Sequence, residues 1–226
     1  MKRLTTYLSE AAGKNTHMTH IEDLILDGGV KGARQAINAL RSMRDMLSGN
    51  AKAPIDITVK WDGAPAVFCG EDPRDGQFFV AKKGIFNAEP KVYKSHADIK
   101  ADTSGDLSKK LIMAFDNLKD LGIKDVIQGD FMFDQSDLKK ENINGIGHIT
   151  FHPNTILYAV PLDTQLAKEI QRAKIGIIWH TSYSGKSFET MKAEFGRDIV
   201  GKLRRTKDVW MDDATPVSYT HLRAHE

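Results

Sequence analysis

Apolar positions along this chain recur at two periods. Ala33, Ala36, Ile37, Leu40, Met43 and Leu47 repeat at helical spacing, and Gly49 stands where a C-terminal cap belongs. Upstream, Glu22 to Leu26 predicts a short helix, followed by a breaker-rich link, Asp27-Gly28-Gly29-Val30-Lys31-Gly32. Residues 1–20 predict a weak helix and a loop. Ile55-Asp56-Ile57-Thr58-Val59 alternates with period two and predicts a strand after Pro54. Ala64 to Cys69 and Gln77 to Ala81 predict two more, joined by the turn Asp72-Pro73-Arg74-Asp75-Gly76. Leu107, Leu111, Ile112, Phe115 and Leu118 return to helical spacing, with Gly122 near the end. Strands are expected at Asp125 to Phe133, Thr155 to Val160 and Ile175 to Thr181, and a short helix at Leu166 to Ala173. The remainder reads as helical or irregular. The sum is an α+β fold: a largely antiparallel twisted sheet with flanking helices. The expected organisation is a helical segment over 1–50 and a sheet domain over 51–215.

Composition narrows the class only a little. In 226 residues, 41% are hydrophobic and 27% charged, which excludes global disorder. The formal net charge of +2 says nothing about nucleic acid, because what matters is where charge clusters. Cys69 is the single cysteine, so no intrachain disulfide can form, and a reducing compartment fits. No apolar run approaches a membrane span, and the N-terminus lacks the apolar core of a secretory signal. No membrane partner is expected. The oligomeric state is not readable.

The candidate chemistry lies at Lys60-Trp61-Asp62-Gly63. A lysine nucleophile must be a neutral amine, which desolvation or neighbouring cations favour. Val59 and Trp61 flank Lys60 with apolar bulk, and Asp62-Gly63 supplies a tight turn. The third strand ends in Lys82-Lys83-Gly84. The Asp72–Gly76 hairpin would carry those lysines toward Lys60, where they could hold phosphates. Lys-x-Asp-Gly alone arises by chance in roughly one chain in twenty of this length. The tetrapeptide therefore does not separate a nucleophile from a solvated lysine on a surface hairpin.

The wider passage Ile57-Thr58-Val59-Lys60-Trp61-Asp62-Gly63-Ala64-Pro65-Ala66-Val67-Phe68 resembles the nucleophile motif of the covalent nucleotidyltransferases: DNA ligases, RNA ligases and mRNA capping enzymes. Lys82-Lys83-Gly84 resembles their next motif, and Gln128-Gly129-Asp130-Phe131 their Gly-Glu strand. Tyr158 and Val160 sit where the family places an aromatic strand beside the purine. The resemblance runs from Ile55 to Val160. It implies a ligase adenylation-domain-like fold and transfer of AMP from ATP, with Mg²⁺, onto Lys60. It further implies nucleotide contacts from Asp62, Gly63, Lys82, Lys83, Asp130 and Tyr158, and DNA or RNA ends as acceptor. Two positions depart from the pattern. Asp130 stands where the family has Glu, and Pro65 where DNA ligases commonly carry Arg. The family's later Glu-Gly and Lys-x-Lys strands are not evident.

Thr16-His17-Met18-Thr19-His20-Ile21-Glu22-Asp23 and Val59 to Ala66 also resemble an uncharacterised protein family of tailed bacteriophages, which implies the cytoplasm of an infected bacterium. The alternatives to the enzyme are a non-catalytic module gripping a nucleotide or nucleic acid, and a phage assembly or host-interaction protein. The segment Val217 to Glu226 resembles a translated sequencing adapter. Residues 216–226 are therefore expected to be an artefactual, unpacked tail, with the native chain continuing past Thr215.

Other motifs carry less. His17 and His20 lack further ligands nearby, and His148 and His152 read as loop histidines. Ser184-Gly185-Lys186-Ser187 fails as a phosphate loop because His180 occupies the position of its first glycine. Gly28 to Gly32 reads as a link rather than an anion site. Lys202, Arg204, Arg205 and Lys207, with Trp210, form a basic run that is either a solvated end or a nucleic-acid contact.

Overall fold

The computed structural model describes residues 21–48, 60–195 and 198–214. The expectations for residues 1–20, for the strand at 55–59, for the cap at Gly49 and for the tail lie outside the described residues. Those that are described divide between two compact units, the first holding a long helix and the second running from Lys60 to Ala214.

The first unit's helix, α1, spans Ile21–Leu47. The expected break falls within the glycine-rich stretch, but it is a kink at one residue and not a six-residue link. Helical backbone continues on both sides of a kink at Gly29, the one residue with non-helical angles (φ 50°, ψ −133°).

The second unit is built on sheets. Strands β1 (Ala66–Glu71), β2 (Phe78–Ala81), β3 (Val126–Asp134), β7 (Ile175–Ser184), β8 (Lys192–Phe195) and β9 (Val209–Asp213) form a six-stranded sheet in the order β2-β1-β3-β7-β8. Strand β9 joins β7 in parallel along Ile175–Trp179, and every other pairing is antiparallel. A second sheet holds β4 (Lys139–Ile143), β5 (Ile146–Phe151) and β6 (Tyr158–Pro161). Helices α2 (His96–Asp102), α3 (Gly105–Leu118) and α4 (Gln165–Arg172) complete the unit. The fold is thus α+β with mostly antiparallel sheets. Strands β8 and β9 replace the helical or irregular end that the sequence suggested.

Period-two alternation decides which face each side chain covers. Val67, Cys69, Val80, Ile127, Ile177 and Trp179 point to one face and bury Ile99 of α2 and Leu111, Ala114 and Leu118 of α3. Removing each such leucine from water contributes roughly 1.5–3 kcal/mol. The other face carries two separate clusters. Phe68, Phe79, Ala81, Ile85, Tyr183 and Phe188 pack near the hairpin of β1 and β2. Met132, Phe133 and Ile178 pack beneath β5 and α4, against Ile149, Phe151 and Ile170. The stretch of sheet between these clusters is polar.

The hairpin turn between β1 and β2 is tied by Asp72. Its side chain is fully buried, and it accepts from the Arg74 backbone N–H (2.9 Å) and guanidinium (2.7 Å), with Lys94 Nζ at 2.7 Å. Burial pushes its pKa up. The hydrogen bonds from Arg74 and Lys94 outweigh that and hold it well below the ordinary value of 3.8. Asp72→Asn takes away the buried charge that Arg74 and Lys94 share, leaving Lys94 with Asp75 alone (2.5 Å). We expect a loss of about 2 kcal/mol at pH 7, under the ~3–5 kcal/mol of a fully buried pair because Arg74 is half exposed. A depressed carboxylate stabilises above its unfolded pKa and loses that contribution as pH falls through the folded value. The gap between wild type and Asp72→Asn in urea denaturation should therefore narrow below pH 3.8. A gap independent of pH would contradict this assignment.

Candidate functional site

The polar stretch of sheet is organised by the approach of residues 60–65 to β3. The Ala64 N–H donates to the Phe131 carbonyl (2.9 Å), and the Phe131 N–H to the Pro65 carbonyl (3.0 Å). In the ladder, Ala66 then lies opposite Asp130. Gly63 is pressed onto the same strand. A Cβ there would stand 2.4 Å from Cβ of Asp130 and 2.9 Å from Sδ of Met132. Only glycine lets these two backbones approach so closely.

Asp62 is locked from the opposite side. Its carboxylate accepts from Asn154 Nδ2 (2.9 Å), the Thr155 N–H (2.7 Å) and hydroxyl (2.5 Å), and the Ile156 N–H (3.1 Å). Its own N–H donates to the Tyr158 hydroxyl (2.8 Å). The Thr155 hydroxyl foremost, then Asn154 and the backbone amides, hold this carboxyl far below the usual aspartate range. The Trp61 ring stacks on Tyr158 (5.3 Å, 20°), and Tyr158 stacks on Phe151 (5.3 Å, 14°). The aspartate of Lys-x-Asp-Gly thus fixes the loop at 154–156. Thr155 to Leu157, expected as strand, is the irregular segment that caps it; β6 begins only at Tyr158.

Two irregularities in the pairing of β3 with β7 bracket Asp130. The register steps from Gln128↔Thr181 to Gly129↔Trp179, leaving His180 as an extra residue, and from Phe131↔Ile177 to Phe133↔Gly176, leaving Met132 as another. Such bulges re-aim side chains and recur next to active sites. Here His180 Nε2 comes to 3.8 Å from Asp130 Oδ1, while its Nδ1 is 2.7 Å from the Thr181 hydroxyl. Both Asp130 and His180 remain about a quarter exposed. Next along the same face, Gln128 accepts from the Tyr183 hydroxyl (2.7 Å), whose pKa burial pushes up to about 12.

Asp62, Gly63, Asp130 and Tyr158 therefore converge. Lys60 is exposed, one residue before Trp61 at the mouth of this arrangement. Lys83 is exposed at the end of β2, in a short 3₁₀ turn, Lys83–Phe86. Lys82 does not join them. It alternates to the helical face, pairs with Asp102 of α2 (3.2 Å) and lies over the Tyr93 ring (5.9 Å). Asp102 also receives Lys91 (2.9 Å) and the Tyr93 hydroxyl (2.7 Å). Among the described residues, no group of three or more His, Cys, Asp or Glu side chains is assembled to hold a metal ion. No helix among them is long and apolar enough to cross a membrane.

Comparison with known proteins places the chain in one family. The chain belongs to the family of unknown function DUF6267, which matches residues 15–225. No curated protein and no solved structure matches it. The DUF6267 match takes in the Lys60–Gly63 turn, Asp130, Tyr158 and His180 alike, and most of the segment 217–226.

His180, Thr155 and Asn154 are the participants that sequence reasoning missed. His180 had a signal: it is a polar residue inside a predicted strand, directly after the apolar run Ile175 to Trp179. The Asp62 lock is testable. Asp62→Ala should speed hydrogen exchange at the Thr155 and Ile156 amides at neutral pH, while amides of β3 keep their protection. In wild type the same acceleration should appear only well below pH 3.8, where this depressed carboxyl protonates. Unchanged exchange at Thr155 and Ile156 in the variant would rule the lock out.

Proposed function

We propose that this chain is a covalent nucleotidyltransferase of the ligase type, in which Lys60 carries AMP. The observation that carries the reading is the seating of Gly63 on Asp130. It delivers the segment bearing Lys60 to a polar strip of sheet between two apolar clusters, beside the Trp61–Tyr158 stack. Such a strip has what a nucleotide needs: aromatic surface for a base, Asp130 for ribose hydroxyls, and exposed lysine for phosphate.

In the proposed step the neutral Lys60 amine attacks the α-phosphorus of ATP. An N–P bond forms, the P–O bond to pyrophosphate breaks, and the proton lost from the amine passes to solvent. Lys83 faces the phosphates, and Asp130 orients the ribose with His180 beside it. Mg²⁺ enters as part of the substrate, held mainly by phosphate oxygens, which suits a site offering one carboxylate. The acceptor is a DNA or RNA end. The deciding experiment is covalent labelling of the full-length protein by α-labelled ATP. Failure to label with either ATP or GTP would overturn the reading.

One observation favours a second reading. Lys82 is committed to Asp102, so a phosphate cation of the resemblance is turned away from the strip. A phage protein that binds a nucleotide or nucleic acid without chemistry needs no such cation. Retained ATP binding without covalent label would select it.

A further inference from the structure

The basic run at 202–207 is not dispersed into solvent. Arg205, Thr206 and Lys207 meet Arg172, from the last turn of α4, around a cavity of about 180 Å³ that is also lined by Trp210 and Glu169. The cations come from two segments more than thirty residues apart in sequence. Nearby Asp208 is taken up by Lys174 (2.9 Å). Three positive side chains thus share one rim with a single carboxylate, an arrangement that an anion would relieve. Thr206 lines the wall, and its hydroxyl is buried behind it with no hydrogen-bond partner among the described residues.

The size selects among phosphate ligands. Pockets that enclose whole small molecules run to about 300–1,000 Å³. This one admits a single phosphate group, with the rest of the ligand outside. Trp210 tells what lies outside. Its ring stacks on Phe133 (5.9 Å, 30°) yet remains partly exposed, which leaves aromatic surface at the cavity. Cations for a phosphate beside an aromatic ring for a base are the elements of single-strand recognition.

We propose that this cavity is a phosphate subsite for single-stranded nucleic acid. Arg172, Arg205 and Lys207 hold one backbone phosphate, and the adjoining base packs at Trp210. The site does not use Lys60 and stands independently of nucleotidyl transfer.

The test is fluorescence anisotropy of a labelled oligothymidylate of twelve nucleotides, titrated with the full-length protein over a series of salt concentrations. Wild type should bind without ATP or Mg²⁺, which separates this site from the nucleotidyl-transfer proposal. The triple variant Arg172→Gln/Arg205→Gln/Lys207→Gln should bind at least about tenfold more weakly at low salt. Its log–log salt slope should be shallower by about two, from three charges at about 0.7 each. Thr206→Val should leave both affinity and slope unchanged, since it removes no charge and its hydroxyl is buried behind the wall. All four side chains lie at the surface or the cavity wall, and circular dichroism should show the variants folded. Equal binding by the triple variant and wild type, or no binding by wild type, would overturn the proposal. So would inorganic phosphate quenching tryptophan emission through these same residues while the oligonucleotide does not bind, because that marks a site for the free ion.

Discussion

Full-length protein carrying Lys60→Ala, incubated with α-labelled ATP and Mg²⁺, should acquire no covalent label, whereas wild type should acquire one that is acid-labile and base-stable. That stability is the signature of a phosphoramidate on an amine. The expectation rests on position. Lys60 is exposed beside the Trp61–Tyr158 stack, three residues from the glycine seated on Asp130. Lys82, which the sequence offered as a cation for phosphate, is held by Asp102 on the other face of the sheet. Lys60→Arg should also abolish label, because a guanidinium stays protonated and cannot attack phosphorus. Asp130→Ala should reduce labelling roughly 10- to 100-fold, the scale of a lost positioning contact. Asp130→Glu is the sharper variant. If the carboxylate does the work of the family's Glu, the longer acid should retain labelling. His180→Ala separates orientation from chemistry: label should form more slowly yet reach the same extent. Label on Lys60→Ala equal to wild type would place the nucleophile elsewhere.

What the sequence made legible follows from which signals are local. The helix through Leu111 and Leu118, the Asp72–Gly76 turn and the strands around Phe68 and Phe131 all stand where periodicity put them, because one buried face dictates each pattern. The β4–β5 hairpin carries one local signal and lacks another. Its turn, Asn144-Gly145, has φ of 52° and 84°, the left-handed pair that two-residue hairpins demand and that Asn-Gly supplies best. The hairpin was obscured by its first strand, Lys139–Ile143, which is almost wholly exposed and shows no apolar alternation. The site divides the same way. Gly63 and Asp130 could be named from their motifs. That Asp62 would be consumed by a loop ninety residues later, and Lys82 by α2, depends on long-range packing that no local pattern encodes. Strands β8 and β9 were lost for a related reason. They are short, and β9 is interrupted by the charges of Asp212 and Asp213, so neither rises above an irregular reading.

Gly129→Ala should be among the most damaging single-methyl changes in the protein, costing about 3 kcal/mol. Gly129 sits in β3 opposite Trp179 of β7, at the centre of the six-stranded sheet. A Cβ there would meet the Ile178 carbonyl oxygen at 2.5 Å, the Trp179 ring at 2.7 Å and Ile177 Cγ2 at 3.0 Å. The first obstacle is backbone of a paired strand, and the second is a fully buried indole, so neither can step aside cheaply. Overpacking of this kind costs ~1–3 kcal/mol, and the backbone clash places it at the upper end. For a unit of this size, that corresponds to a fall in Tm of roughly 10 °C. Gly84→Ala is the matched control. The nearest atoms to its Cβ are 3.6 Å away, ordinary contact, and its Tm should stay within about 1 °C of wild type. The local distortion should also reach Asp130, the next residue. Covalent labelling by Gly129→Ala should therefore fall further than its folded fraction at the assay temperature accounts for. Thermal unfolding that leaves Gly129→Ala and Gly84→Ala indistinguishable would show that β3 and β7 can part without cost, and the tight seat beneath Asp130 would have to be abandoned.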